Sequence, residues 1–193
     1  MKSFNNIIQE PIFSSFIFST EVFIDLKTLN YECLKKEKTE QGITNSNKGG
    51  FHSEISDFTD EAYPALTNLR NIALEFSNYV CEKIGITARV TDSQAWVNVN
   101  RNSNYNVMHC HNDNLLTGVF YVNVPANAES DLILYRNDGA EYFNRAFSGD
   151  YILTPTIGRL YIFSPWLKHS VDVNNSNDER ISIAFNFYSK DSK

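Results

Sequence analysis

From Ala88 onwards the chain reads as strand after strand. The runs ARVTDSQAWVNVN, YNVMHCH, LLTGVFYVNV, DLILY, GDYILTP, GRLYIF, HSVDV and ERISIAFNFY are short, rich in β-branched and aromatic residues, and separated by turn residues. Eight such runs with no helical period between them predict an antiparallel sandwich or jelly roll. One earlier segment has a different period. Leu66, Leu69, Ile72, Ala73, Phe76, Tyr79 and Val80 recur at i, i+3, i+4 spacing, which predicts a helix over 61–85 with Asp60 as its cap, Pro64 in its first turn and Gly85 at its stop. A single apolar stripe of this kind predicts packing on the outside of a sheet. At the N-terminus, Ile12 to Leu29 alternates partially and reads as one or two strands, whereas Lys35 to Ser53 is polar and rich in Gly and Asn and reads as a long surface loop. The expectation is a mainly β fold with a few helices, at least one of them packed on the sheet. It forms a single domain over 1–193: N-terminal strands and loop over 1–60, the helix over 61–85, and a β core over 88–190.

Composition narrows this picture only a little. A chain of 193 residues can bury a full core without disulfides or a structural metal. Seventeen basic against twenty-three acidic residues leave a net charge of −6, which gives no global positive field for a nucleic-acid backbone. Cys33, Cys81 and Cys110 are odd in number and far apart, so a disulfide framework is not expected and a reducing compartment is. With no signal-peptide pattern and no apolar run of membrane length, the expected location is the cytoplasm, or the host cytoplasm for a phage protein.

Three of the four histidines fall within the predicted strands. His109 and His111 are separated by one residue, so strand alternation points both the same way and Cys110 oppositely. A pair of imidazoles on one face is half of a metal site. His169 lies four or five strands further on, the distance at which a jelly roll returns beside its first pair. His111-Asn112-Asp113 is also an H-x-D sequence, and two histidines with one carboxylate make a facial triad for non-haem iron. The set is therefore either His109, His111 and His169 or His111, Asp113 and His169. The turn-like Asn112-Asp113-Asn114 tilts the choice towards three histidines. His52, in the predicted loop, is assigned no role.

Arg180 opens the last strand, and alternation places Arg180, Ser182 and Ala184 on one face. If that face is the interior, the guanidinium needs an anionic partner, and a dicarboxylate supplies one through its planar fork, with Ser182 as a further donor. The bland reading pairs Arg180 with Asp178 or Glu179 in solvent.

Taken together, HCHNDNLLTGVFYVNVP and GRLYIFSPWLKHSVDVNNSNDERISIAFNF resemble the 2OG-Fe(II) oxygenase family of marine bacteria and their phages. Its members carry H-x-H-P-x-S-x-L-S-G-V-Y-Y-V and later G-x-L-x-x-F-P-S-W-L-x-H-S-V…R-I-S-I-S-F-N. GITNSNKGGFHS is similar to a further stretch of that family. Asn112 stands where the family has proline, Thr117 where it has serine, and Ser164-Pro165 inverts its Pro-Ser. The resemblance implies a double-stranded β-helix related to prolyl 4-hydroxylases. It implies His109, His111 and His169 as ligands, Arg180 and Ser182 on the distal carboxylate of 2-oxoglutarate, and Tyr121 reaching the same carboxylate.

The activity so implied is an Fe(II)- and 2-oxoglutarate-dependent dioxygenase that consumes O2 and hydroxylates a peptide or protein residue, or a small molecule. Trp96, Trp166, Tyr105 and the 35–53 segment are expected to rim an open mouth. The rival class is a cupin-like metal or small-molecule-binding protein without oxygenase turnover, in which Arg180 only pairs with an acidic neighbour.

Overall fold

The computed structural model describes residues 15–126, 128–136 and 149–189. Their elements run β1 (Ile17–Glu21), α1 (Leu26–Thr39), β2 (Asn47–Lys48), β3 (Phe51–His52), α2 (Pro64–Lys83), β4 (Asp92–Asn100) and β5 (Tyr105–His109). They continue β6 (Leu116–Asn123), β7 (Leu132–Leu134), β8 (Tyr151–Leu153), β9 (Arg159–Phe163), β10 (His169–Val171) and β11 (Arg180–Tyr188). Each of the eight predicted runs contains one strand. One sheet has the order β1-β9-β6-β11-β4-β3 and the other β2-β5-β10-β7-β8. The sheets share a small core in which Tyr121, Tyr161 and Phe163 of the first meet Leu132, Leu134 and Leu153 of the second. This is the expected antiparallel jelly roll.

The longest strand shows how the chain divides its two faces. In β11, Ile181, Ile183, Phe185 and Phe187 point to one side, where they form the main core with Leu29 and Cys33 of α1 and Leu66, Leu69, Ala73 and Val80 of α2. Arg180, Ser182 and Ala184 point to the other side and line a cavity between the sheets. Both helices thus cover the back of the larger sheet and leave its front for chemistry.

The N-terminal expectation needs correction. Only Ile17–Glu21 of the Ile12 to Leu29 segment is a strand; Leu26 already opens α1, and residues 12–14 lie outside the described residues. The predicted loop is helical as far as Thr39. α1 escaped the periodicity reading because two of its four buried positions, Leu29, Glu32, Cys33 and Lys36, are charged. Both are satisfied by partners distant from an apolar stripe. The Glu32 carboxylate accepts from the N–H groups of Ala65 and Leu66 at 3.1 and 2.9 Å, while Lys36 pairs with Glu40 and lies 4.9 Å from the Tyr63 ring.

Glu32 also replaces the expected cap of α2. Asp60 instead accepts from Ala62 N–H at 2.9 Å in the preceding turn, and Tyr63 takes the N-cap position without a side-chain bond. A carboxylate from α1 therefore meets the free donors and positive end of α2, tying the helices together. Gly85 ends α2 with φ 76°, as expected. In the stripe itself Ser77 is buried and Tyr79 is 49% exposed, so the apolar reading overextended by one residue.

After α1 the chain crosses from one sheet to the other within four residues, β2 lying in the smaller and β3 in the larger. Gly49 adopts φ 79° at the crossing, and a side chain at Gly50 would meet the Val99 carbonyl at 3.0 Å. This fixes Ser46 at the cavity wall.

Candidate metal centre and co-substrate pocket

His109 ends β5 and His169 begins β10, and the two are register partners across neighbouring strands. The return predicted from spacing is therefore realised. Between that pair and the Val171–Asn106 pair, two residues of β5, Val107 and Met108, stand opposite one of β10, Ser170, which is a β-bulge. Its extra residue breaks strict alternation, so Asn106 and His109 both line the cavity although they are three apart, while Val107 and Met108 are exposed. His111 lies just beyond β5, where its N–H donates to the Pro165 carbonyl at 3.0 Å. The ligand atoms of His109, His111 and His169 lie within 4.8 Å of one another, and the Nε2 atoms of His111 and His169 are 3.3 Å apart.

Two of the three rings have their tautomer set by the backbone. His109 Nδ1 lies 2.8 Å from the Val107 carbonyl and His169 Nδ1 2.9 Å from the Leu167 carbonyl. A carbonyl only accepts, so Nδ1 carries the hydrogen and Nε2 keeps its lone pair towards the cluster. Burial pushes His109 below the usual imidazole range. Burial, helped by the neighbouring His109, takes His111 to about 4 and His169 to about 3. At neutral pH all three are uncharged donors, the form that a divalent cation requires.

Asp113 does not join them. It is exposed, with φ 64° in the turn after His111, and the converging ligand atoms come from three histidines. The left-handed backbone there matches the turn-forming reading of Asn112-Asp113-Asn114. The donor set fits a first-row metal with imidazole affinity, Fe(II) included.

Arg180 is 2% exposed and lines the same cavity. Its guanidinium donates to Ser182 Oγ at 3.2 Å and lies 5.0 Å from the centroid of the Tyr121 ring. It does not pair with Asp178 or Glu179; Glu179 is instead 3.7 Å from Arg101. Among the described residues no carboxylate lies within ion-pairing distance of Arg180, Asp131 acting on it only from further away, and Arg180 Nε has no hydrogen-bond partner. Burial lowers the Arg180 pKa and pushes the Tyr121 phenol up to about 12, the adjacent guanidinium offsetting part of the latter. A bulge in β6 brings Tyr121 opposite Ser182, where simple pairing after Ile181–Asn123 would put Val122.

Sequence reasoning missed two polar members of this wall. Asn98 is 8% exposed with an unpartnered Oδ1, and Asn106 accepts from Asn100 at 3.0 Å while donating to Ser46 at 3.2 Å. The alternation that singled out Arg180 would have found Asn98, because Asn98 pairs with Ser182 in register. Asn106 was hidden by the bulge. Trp96, expected at the rim, is 7% exposed inside the cavity, whereas Trp166 and Tyr105 are 52% and 37% exposed.

Residues 94–186 match the family model described as "Putative 2OG-Fe(II) oxygenase". No curated protein matches the sequence significantly. Among solved structures, the chain is similar to a prolyl hydroxylase from Trichoplax adhaerens in complex with a hypoxia inducible factor peptide. The TM-score is 0.71 at 14% identity, over 91% of this chain and 84% of that one. A prolyl-4-hydroxylase from Pseudomonas putida gives 0.60 at 15%, over 90% and 92%. The viral collagen prolyl hydroxylase of Paramecium Bursaria Chlorella virus-1, in complex with 2OG, gives 0.58 at 13%, over 89% and 94%. At these identities the solved structures establish a shared fold. The segment 94–186, which matches that 2OG-Fe(II) oxygenase family model, contains the three histidines and Arg180.

Proposed function

We propose that this protein is an Fe(II)- and 2-oxoglutarate-dependent dioxygenase in which His109, His111 and His169 hold the iron and Arg180 holds the distal carboxylate of 2-oxoglutarate. The observation that carries this reading is a buried guanidinium without a carboxylate partner among the described residues, in the cavity onto which three neutral imidazoles converge. An isolated charge buried in this way is costly, and an anion entering from solvent relieves it. Ser182 and Tyr121 complete the carboxylate subsite, the phenol as an O–H donor because its pKa is far above neutrality.

When bound, iron would activate O2, the oxidant, and 2-oxoglutarate would give it two electrons on decarboxylation to succinate and CO2, one oxygen atom going to succinate and the other to the substrate C–H bond. The chain's own residues do the positioning. Val107 and Leu167 carbonyls orient two ligands, the fork of Arg180 sets the direction from which a diacid reaches the histidines, and Phe163, Leu132 and Val119 keep the cavity wall apolar. For the primary substrate we infer a peptide or protein residue. The exposed Tyr105, Val107, Met108 and Trp166 support this, and the fold is shared with prolyl hydroxylases, one of them in complex with a peptide.

Thermal unfolding with Mn(II) as a redox-inert substitute for iron tests the co-substrate site. Added 2-oxoglutarate at a hundred-fold excess over its Kd should stabilise the metal-loaded protein by about 2.7 kcal/mol. It should do so far less in Arg180→Ala. A wild-type protein indifferent to 2-oxoglutarate would contradict the reading.

A further inference from the structure

The third imidazole is held differently from the other two. His109 and His169 each donate to a backbone carbonyl two residues earlier, but the His111 ring has no such carbonyl partner, and its residue lies outside the strand. Among the described residues, and apart from the approach of its Nε2 to that of His169, its polar support is the Asn186 side chain. What does face it is aromatic: the Trp96 ring is stacked against His111 at 5.8 Å between centroids and 22° between planes. Trp96 is in turn stacked against His52 at 5.4 Å and 8°. His52 is 2% exposed, its Nδ1–H donating to the Ser53 carbonyl at 2.7 Å. On the inner face of the sheet, Trp96 pairs in register with Ala184, whose small side chain leaves room for the indole to lie over the cavity. The stack continues from His111 to His169, whose rings are 2° from parallel at 5.1 Å.

We propose that Trp96, braced by His52, is the positioning residue that orients His111 as a metal ligand. The proposal rests on the metal-site reading above. Carbonyls cannot be lost by substitution, so His109 and His169 keep their orientation in any variant, whereas His111 depends on a replaceable ring. Partners that orient a ligand contribute to metal affinity, and their removal costs about 10–100-fold.

Co(II) titration, read by the ligand-field absorption of the bound ion, tests this without turnover. Trp96→Phe, which keeps a ring, should bind Co(II) close to wild type with the same band shape. Trp96→Leu should bind at least about ten-fold more weakly and show an altered band. His52→Leu preserves volume without the aromatic brace and should change the band in the same direction, so the inference survives a misfolded tryptophan variant. A folded Trp96→Leu with wild-type affinity and spectrum would overturn it, as would an unchanged spectrum in His52→Leu should Trp96→Leu fail to fold. His169→Ala separates the two levels of the argument. If it binds Co(II) as well as wild type, the metal site itself is wrong; if it abolishes binding while Trp96→Leu changes nothing, only the role of Trp96 falls.

Discussion

Arg180 is the residue whose chemistry conflicts most with its surroundings, and the conflict makes an expectation about stability as well as function. Among the described residues, the Arg180 guanidinium has Ser182 and Tyr121 close by and Asp131 acting on it from beyond ion-pairing distance, so it regains only part of the solvation it loses. Arg180→Met should therefore stabilise the ligand-free protein, by about 1–4 kcal/mol if the methionine packs well, while removing the response to 2-oxoglutarate. Chemical denaturation with and without the diacid measures both; a destabilised, still responsive variant would contradict the assignment. The histidines carry a pH signature. Burial depresses their folded-state values to about 4 for His111 and about 3 for His169, so between the ordinary imidazole range and those values only the unfolded chain takes up the protons. Their contribution is fully present above the unfolded value and is lost as pH falls. Unfolding free energy of the metal-free protein should fall as pH drops from about 6.5 towards 4, less so in His111→Gln/His169→Gln. At this scale the sequence was most legible. Residue type and spacing singled out three histidines and one arginine, and the open choice at Asp113 turned on backbone conformation, which spacing does not report.

Elements place these residues through departures from regularity. Strand alternation put Arg180, Ser182 and Ala184 on one face, and that face is the inner one, β11 pairing in unbroken register with β4 from Arg180 to Tyr188. It could not foresee the bulge in β5, where two residues face one and Asn106 joins His109 in the cavity. Periodicity likewise found α2 and missed α1, since the buried Glu32 and Lys36 of α1 disguise its stripe and the partners of Glu32 lie in α2. That arrangement is testable. Glu32→Ala leaves the N–H groups of Ala65 and Leu66 without their carboxylate at the start of a helix packed on the sheet, and should cost about 1–3 kcal/mol in urea unfolding. Glu32→Gln, which keeps one acceptor, should lose less. Equal stability in all three proteins would mean that the contact between α1 and α2 does not hold α2 in place.

At the scale of the whole molecule, two helices seal the back of a six-stranded sheet with an apolar core, and the front of that sheet is left to a cavity shared with the five-stranded sheet. The division lets polar side chains concentrate where a ligand can satisfy them without weakening the main core. Phe185, fully buried between β11 and the helices, belongs to that core, and Phe185→Ala should cost about 3–5 kcal/mol while leaving the ligand set intact in whatever fraction stays folded. The jelly roll could be read from eight strand runs and one helical period, whereas the N-terminal third could not, because its helix, crossing and short strands are specified by contacts with distant segments. The central claim is that one cation and one diacid share the cavity, the cation on three imidazoles and the diacid reaching from it to Arg180. Diffraction from crystals grown with Mn(II) and 2-oxoglutarate, recorded at the manganese absorption edge, tests it directly. The account expects a single strong anomalous peak bonded to Nε2 of His109, His111 and His169, with the far carboxylate of the diacid on the Arg180 guanidinium; manganese held elsewhere, or a diacid that leaves Arg180 untouched, would contradict it.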